Sequence, residues 1–173
     1  MLRVRMEGLP VRIGEAFVGD VPNNAHPNVM VGRREELGAT IAQSLASPSR
    51  DHVSFMAVLR PNVMVKPDTL FVNKVATVTP EIARMTWGPA QAGVARGVHE
   101  ALAEGILPPD AAENWVVVAA VWVNPLADDP QKVEANNRLA IKAALLNAFD
   151  PPAQTVRDAA AASAANPFYS GET

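Results

Sequence analysis

From Asn114 to Val123 the chain reads Asn-Trp-Val-Val-Val-Ala-Ala-Val-Trp-Val. Almost every position is apolar, and most are β-branched or aromatic. A strand wet on one face would alternate. This run does not, so it predicts a central strand buried on both faces. It is also far too short to cross a bilayer. A strand of that kind needs other strands beside it and helices above it.

The remaining patterns supply those partners. Val11 to Asp20 mixes apolar and polar residues and predicts a strand. Val21 to Asn28 is rich in Asn and Pro and predicts a loop, followed by a short strand at Val29 to Val31. Leu37, Ile41 and Leu45 recur at helical spacing, so Arg34 to Ala46 predicts a helix that Ser47-Pro48-Ser49 ends. His52 to Leu59 and Thr69 to Val78 read as strands, with Arg60-Pro61-Asn62 a turn between them. Gly88-Pro89 is a helix-start signal, with Val94, Ala95, Val98 and Leu102 as the apolar stripe and Gly105 and Pro108 as the stop. Asp129-Pro130 opens the last helix, whose stripe is Val133, Asn137, Ile141, Leu145 and Phe149. Strands and helices alternate irregularly. The expected fold is α/β (α+β): a two-layer sandwich with a mixed sheet backed by helices. Its single domain covers residues 11–150, between an N-terminal arm at 1–10 and an alanine-rich tail at 151–173.

Composition narrows the chemistry. The net charge is -3, with no basic stripe, so no nucleic-acid partner is expected. There is no cysteine, which removes disulfides and thiolate catalysis. His26, His52 and His99 lack ligand-like spacing with carboxylates, and no metal is expected. Neither a membrane partner nor a signal peptide is read from the chain, so a cytoplasmic location is expected.

Three residues break their local patterns. Stepping back one turn from Val94 and Ala95 places Gln91 on the buried stripe, in a first turn where free backbone N–H groups point. A buried amide there either satisfies a loop or faces a ligand. Lys74 shares a strand face with Leu70, Val72, Ala76 and Val78. It snorkels at a sheet edge, pairs with an acid, or lines a cavity. His26 precedes Pro27, which restricts it to extended backbone. It is an ordinary loop histidine or a proton-transfer group held at a fixed angle. Asn137 interrupts the last stripe and reads as a subunit contact or part of a site.

Taken together, these residues resemble the formaldehyde-activating enzyme family. The likeness begins at Gly14-Glu15-Ala16-Phe17-Val18-Gly19-Asp20 and passes through Ala25-His26. It continues at Ala57-Val58-Leu59-Arg60-Pro61-Asn62, Val65-Lys66-Pro67, Thr69-Leu70 and Lys74-Val75. Gly88-Pro89-Ala90-Gln91 is its most specific block, followed by Glu104-Gly105-Ile106-Leu107-Pro108 and the ending Asn166-Pro167-Phe168. The resemblance implies a fold like ribosomal protein S5 domain 2 and a homopentamer with sites between subunits. It also implies condensation of formaldehyde with tetrahydromethanopterin, a co-substrate, to methylene-tetrahydromethanopterin and water. His26 falls on the family's catalytic histidine. Asn28, Met56, Lys74, Ala76 and Gln91 fall on its pterin-contacting positions.

Departures accompany the match. Where the family has aspartate, threonine and leucine, this chain has Asn28, Ala76 and Met56. Its last helix carries Asn136-Asn137-Arg138-Leu139-Ala140 in place of Tyr-Asn-Tyr-Glu-Ala. A lost charged hydrogen bond costs about 1.5–3 kcal/mol and a neutral one about 1 kcal/mol. Together these weaken pterin binding by roughly two to three orders of magnitude if nothing compensates. The alternative is a non-catalytic formaldehyde- or pterin-binding sensor. Under the enzymatic reading, His26 protonates the oxygen that leaves as water, while Lys74 and Gln91 hold the reduced pterin.

Overall fold

A computed structural model describes residues 11–50, 52–76 and 79–151. The apolar run forms β7 (Trp115–Val123), the middle strand of a five-stranded sheet. On one side it pairs antiparallel with β2 (Ala25–Arg33), which pairs antiparallel with β1 (Val11–Glu15). On the other side it pairs parallel with β6 (Asp68–Asn73), and the short β3 (Ser54–Met56) closes that edge antiparallel to β6. The sheet is therefore mixed and backed by helices, as the patterning predicts. A separate two-stranded ribbon joins β4 (Val58–Arg60) to β5 (Val63–Met64).

The helices divide the two faces of the sheet unequally. α3 (Gln91–Ala103) and α5 (Pro130–Phe149) cover one face. There Val29, Val31, Phe71, Val117, Ala119 and Val121 meet Val94, Val98, Ile141 and Leu145 in the main core. α1 (Arg34–Ala46) covers only one end of the other face, where Leu37 and Ile41 meet Leu70 and Val116. Val118, Ala120 and Trp122 are left half-buried. The expectation that β7 is buried on both faces thus holds only beside α1. Elsewhere a sheet face is open, with Met30 40% exposed and its cross-strand partner Ile13 68% exposed.

Several boundaries differ from the patterning. β2 begins at Ala25, so the expected loop from Val21 to Asn28 gives way to strand at its fourth residue from the end. The nine residues from Ala25 to Arg33 each find a partner on β7, and this pairing overrides the turn-like composition. The first strand stops at Glu15, short of Asp20. Ala16 N–H donates to the Pro27 carbonyl, but proline has no N–H to return, and the ladder lapses until Val18 pairs with Ala25. β6 stops at Asn73 because that side chain folds back on the Val75 backbone, accepting from its N–H at 3.2 Å. The strand expected from His52 to Leu59 is split between β3 and β4.

The helical segment before Gln91 also differs. Helix begins at Pro80, with Thr79 accepting from Ile82 N–H, and α2 (Pro80–Met85) runs through a π turn (Thr86–Ala90) into α3. Pro89 therefore lies inside a helical run and does not start one. A π turn accommodates a proline because the spacing of its bonds changes around the missing donor. The Gln91 N–H reaches the Thr86 carbonyl, so it is not the free donor that the patterning expects. A short α4 (Ala111–Asn114) leads into β7, and the Asp129 carboxylate caps α5 through the N–H groups of Gln131 and Lys132. The N-terminal arm and the tail beyond Pro151 lie outside the described residues.

Close approach by α5 fixes which face becomes core. A Cβ on Gly97 would run into the Ile141 side chain and the Arg138 carbonyl, and one on Gly14 would strike the Ala144 carbonyl. Asn137 is buried at this helix contact within the chain and donates to the Val133 carbonyl at 2.8 Å. Gly97→Ala is predicted to cost about 1–3 kcal/mol through overpacking. Urea denaturation checks this: an unchanged midpoint would mean that α3 and α5 separate without cost.

Candidate functional site

Side chains alternate along a strand, so β2 presents His26, Asn28 and Met30 to the open face and buries Ala25, Pro27 and Val29. His26 stands on this strand, opposite Trp122, rather than in a loop. The turn before it is fastened to the start of α5. Asn23 donates to Asp128 Oδ1 at 2.8 Å and accepts from the N–H groups of Asp128 and Asp129, each at 3.1 Å. Asn136 donates to the Asn23 carbonyl at 2.8 Å. These bonds anchor the chain three residues ahead of the imidazole.

Glu15 completes the histidine's surroundings. It pairs with Asn28 across the strands, and its Oε1 lies 2.6 Å from His26 Nε2. The Phe17 ring stands 6.0 Å from the imidazole, tilted against it. With Nε2 directed at the carboxylate, Nδ1 has no partner among the described residues. Glu15 was not singled out in the sequence as a site residue. The available signal was its place in Gly14-Glu15-Ala16-Phe17, but only the β1–β2 register brings it to His26.

Lys74 lies one residue beyond β6 but stays in line, because its N–H donates to the Val121 carbonyl at 2.9 Å. Its Nζ crosses β7 and donates to Asn28 Oδ1 at 2.7 Å. Asn28 pairs with Ala120, whose methyl is too small to part the two side chains. The lysine is half-buried. Burial holds its ammonium below the usual range, and the Glu15 charge opposes that shift. The structure thus brings His26, Asn28 and Lys74 together, with Glu15 as a fourth member.

Met56 and Gln91 form a second group. Gln91 Oε1 accepts from the Val58 N–H at 2.6 Å, so one end of the amide satisfies the neighbouring backbone, and Nε2 has no partner among the described residues. Beside it opens a cleft of about 290 Å³ lined by Val53, Phe55, Met56, Val58, Trp87 and Gln91. Trp87 is 54% exposed at its rim, and Phe55 stacks on Phe71 at 4.8 Å. This apolar cleft lies at the β3 edge of the sheet. Ala76 is half-buried in the turn after β6 and not on a strand face. Among the described residues, no hydrogen bond or ring contact joins the cleft to the His26 group. His52 and His99 are exposed and belong to neither.

Comparison with known proteins identifies the family of the chain. Residues 13–168 match the family model described as formaldehyde-activating enzyme. A 5,6,7,8-tetrahydromethanopterin hydro-lyase of Methanosarcina barkeri is 38% identical over 139 residues, covering 80% of this chain and 78% of that protein. A bifunctional enzyme Fae/Hps of Methanococcoides burtonii is 38% identical over 139 residues, and one of Archaeoglobus fulgidus is 40% identical over 141. The chain spans only 35% and 36% of the lengths of those two bifunctional relatives. The family match extends over the strand that carries His26, the lysine after β6 and the helix that carries Gln91, and the chain belongs to the formaldehyde-activating enzyme family.

Proposed function

We propose that this chain condenses formaldehyde with tetrahydromethanopterin, forming methylene-tetrahydromethanopterin and releasing water. The observation that carries the reading is His26, held by Glu15 at 2.6 Å on the same open sheet face as Lys74. Formaldehyde adds to an amine unaided; the harder step is loss of the hydroxyl from the carbinolamine. A fixed proton donor accelerates that step, and a pocket that holds both reactants removes the bimolecular encounter. Glu15 orients the ring through Nε2, which leaves Nδ1 to deliver the proton. The name of the Methanosarcina barkeri relative supports both the co-substrate and the lyase class. No helix among the described residues is long and apolar enough to cross a membrane, which accords with a cytoplasmic setting.

The reduced pterin suits the apolar cleft, where Phe55 and Trp87 offer ring faces and Gln91 Nε2 offers a donor. That cleft and the His26 group are separate in one chain. A homopentamer that seats one subunit's cleft against the next subunit's open face would unite them. Ile13 and Met30, adjacent and exposed on that face, are apolar enough to form such a contact.

Two outcomes test these proposals. His26→Ala lowers formation of methylene-tetrahydromethanopterin above the spontaneous rate by roughly 10²-fold or more in stopped-flow assays, with the circular dichroism spectrum unchanged. Wild-type turnover by the folded variant would remove His26 from the mechanism. Light scattering of the native protein gives the mass of five chains, and Met30→Glu shifts it to smaller species with loss of activity. A native monomer at micromolar concentration would refute a site shared between subunits.

A further inference from the structure

The chain has four lysines: Lys66, Lys74, Lys132 and Lys142. Three of them are held by carboxylates. Lys66 lies 3.2 Å from Asp68 and 3.3 Å from Glu113, Lys132 lies 3.5 Å from Asp129, and Lys142 lies 2.9 Å from Glu104. Lys74 differs. Its Nζ donates to a neutral amide, Asn28 Oδ1, and Glu15, the acid that acts on it, has its Oε1 against His26. Hydrogen bonds to Asp68 and Glu104 hold Lys66 and Lys142 above the ordinary lysine range, whereas burial holds Lys74 below it. Only an uncharged amine has a lone pair to give, so a desolvated lysine without a carboxylate partner is the most nucleophilic of the four.

We infer that Lys74 is a nucleophilic residue of this site, whose amine captures formaldehyde and passes the carbon to the acceptor amine. The inference rests on the condensation proposed above and adds a covalent relay to it. The Nζ lone pair forms a bond to the formaldehyde carbon while the C=O π pair moves to oxygen. Oxygen gains a proton and nitrogen loses one, giving an N-hydroxymethyl lysine. A proton from His26, on the same face, lets the hydroxyl leave as water, and the nitrogen lone pair closes a methylene iminium. The acceptor amine adds to that carbon and loses its proton. Nζ then takes up a proton and the Nζ–carbon bond breaks, which frees the lysine. A second amine of the acceptor closes on the resulting iminium with loss of a proton. No oxidant or reductant is consumed.

Reductive trapping tests this on the native protein. Limiting isotope-labelled formaldehyde and cyanoborohydride are added, and methylation of each lysine is read by peptide mass spectrometry. Lys74 is expected to label about tenfold more than Lys66, Lys132 or Lys142, whose amines each lie against a carboxylate. Asn28→Asp, which places a carboxylate on Nζ, lowers Lys74 labelling about tenfold and leaves the other three unchanged. Tetrahydromethanopterin added before the reductant lowers Lys74 labelling by drawing the carbon away. Labelling of Lys74 no greater than that of the other three overturns the inference, as does labelling indifferent to tetrahydromethanopterin; the wild-type measurement alone decides. Methylene-tetrahydromethanopterin formation is followed in the same preparation. Formation above background without selective labelling sinks the lysine relay and spares the condensation, whereas selective labelling without formation sinks the condensation.

Discussion

The register of β2 between β1 and β7 is the constraint on which the open face depends. Because the side-chain period is two, a slip of one residue would send His26 and Asn28 into the core and bring Pro27 and Val29 to the surface. Nine paired residues with β7 hold the register, and the Asn23 contacts with Asp128 and Asp129 anchor its N-terminal end. The same register sets Glu15 opposite Asn28, which puts a carboxylate within reach of the imidazole. One backbone pairing thus places an acid, an imidazole and an amide side by side. Lys74 reaches the amide from the far side of β7.

Charge is distributed unevenly between the ion pairs of this surface and its candidate site. Carboxylates take up Lys66, Lys132 and Lys142, and Arg34 pairs with Asp68 at 2.8 Å. At the open sheet face the acid partners the histidine, and the lysine meets only an amide. A half-buried amine whose direct partner is a neutral amide has less of its desolvation cost offset than one held by a carboxylate, which favours a reactive amine over a structural cation. Burial lowers the range in which Lys74 holds its proton, and the Glu15 charge opposes that shift.

The core on the opposite face has a different logic. α5 settles against α3 and β1 because Gly97 and Gly14 carry no side chain at the points of contact, and the main core forms on that face. α1 is too short to do the same for the second face and fully buries Leu70 and Val116 there, with Val11, Met56, Val72 and Val118 only partly covered. The unequal coverage leaves room for chemistry on one side of a sheet whose other side provides the stability. The π turn has an analogous effect at the sheet edge. By absorbing Pro89 within a continuous helix, it delivers Gln91 to the Val58 backbone and Trp87 to the rim of the cleft.

Periodicity and composition alone determined the elements with strong local signals. The central strand, α1 with its bounds at Arg34 and Ala46, the Asp129 cap of α5 and the mixed sheet backed by helices all follow from residue spacing. Lys74 and Gln91 were visible as polar residues on apolar faces, where burial is costly, and His26 as an imidazole restricted by the proline after it. Tertiary structure alone decided the rest. Composition makes Ala25-His26-Pro27-Asn28 look like a loop, but nine-residue pairing with β7 makes it a strand, since ladder hydrogen bonds outweigh local preference. Glu15 and His26 are 11 residues apart, and Lys74 and Asn28 are 46 apart, so no local pattern could join them. That Gln91 Oε1 satisfies a backbone group depended on where the Val58 N–H lay. That position was set by sheet packing and not by the helix that carries the glutamine.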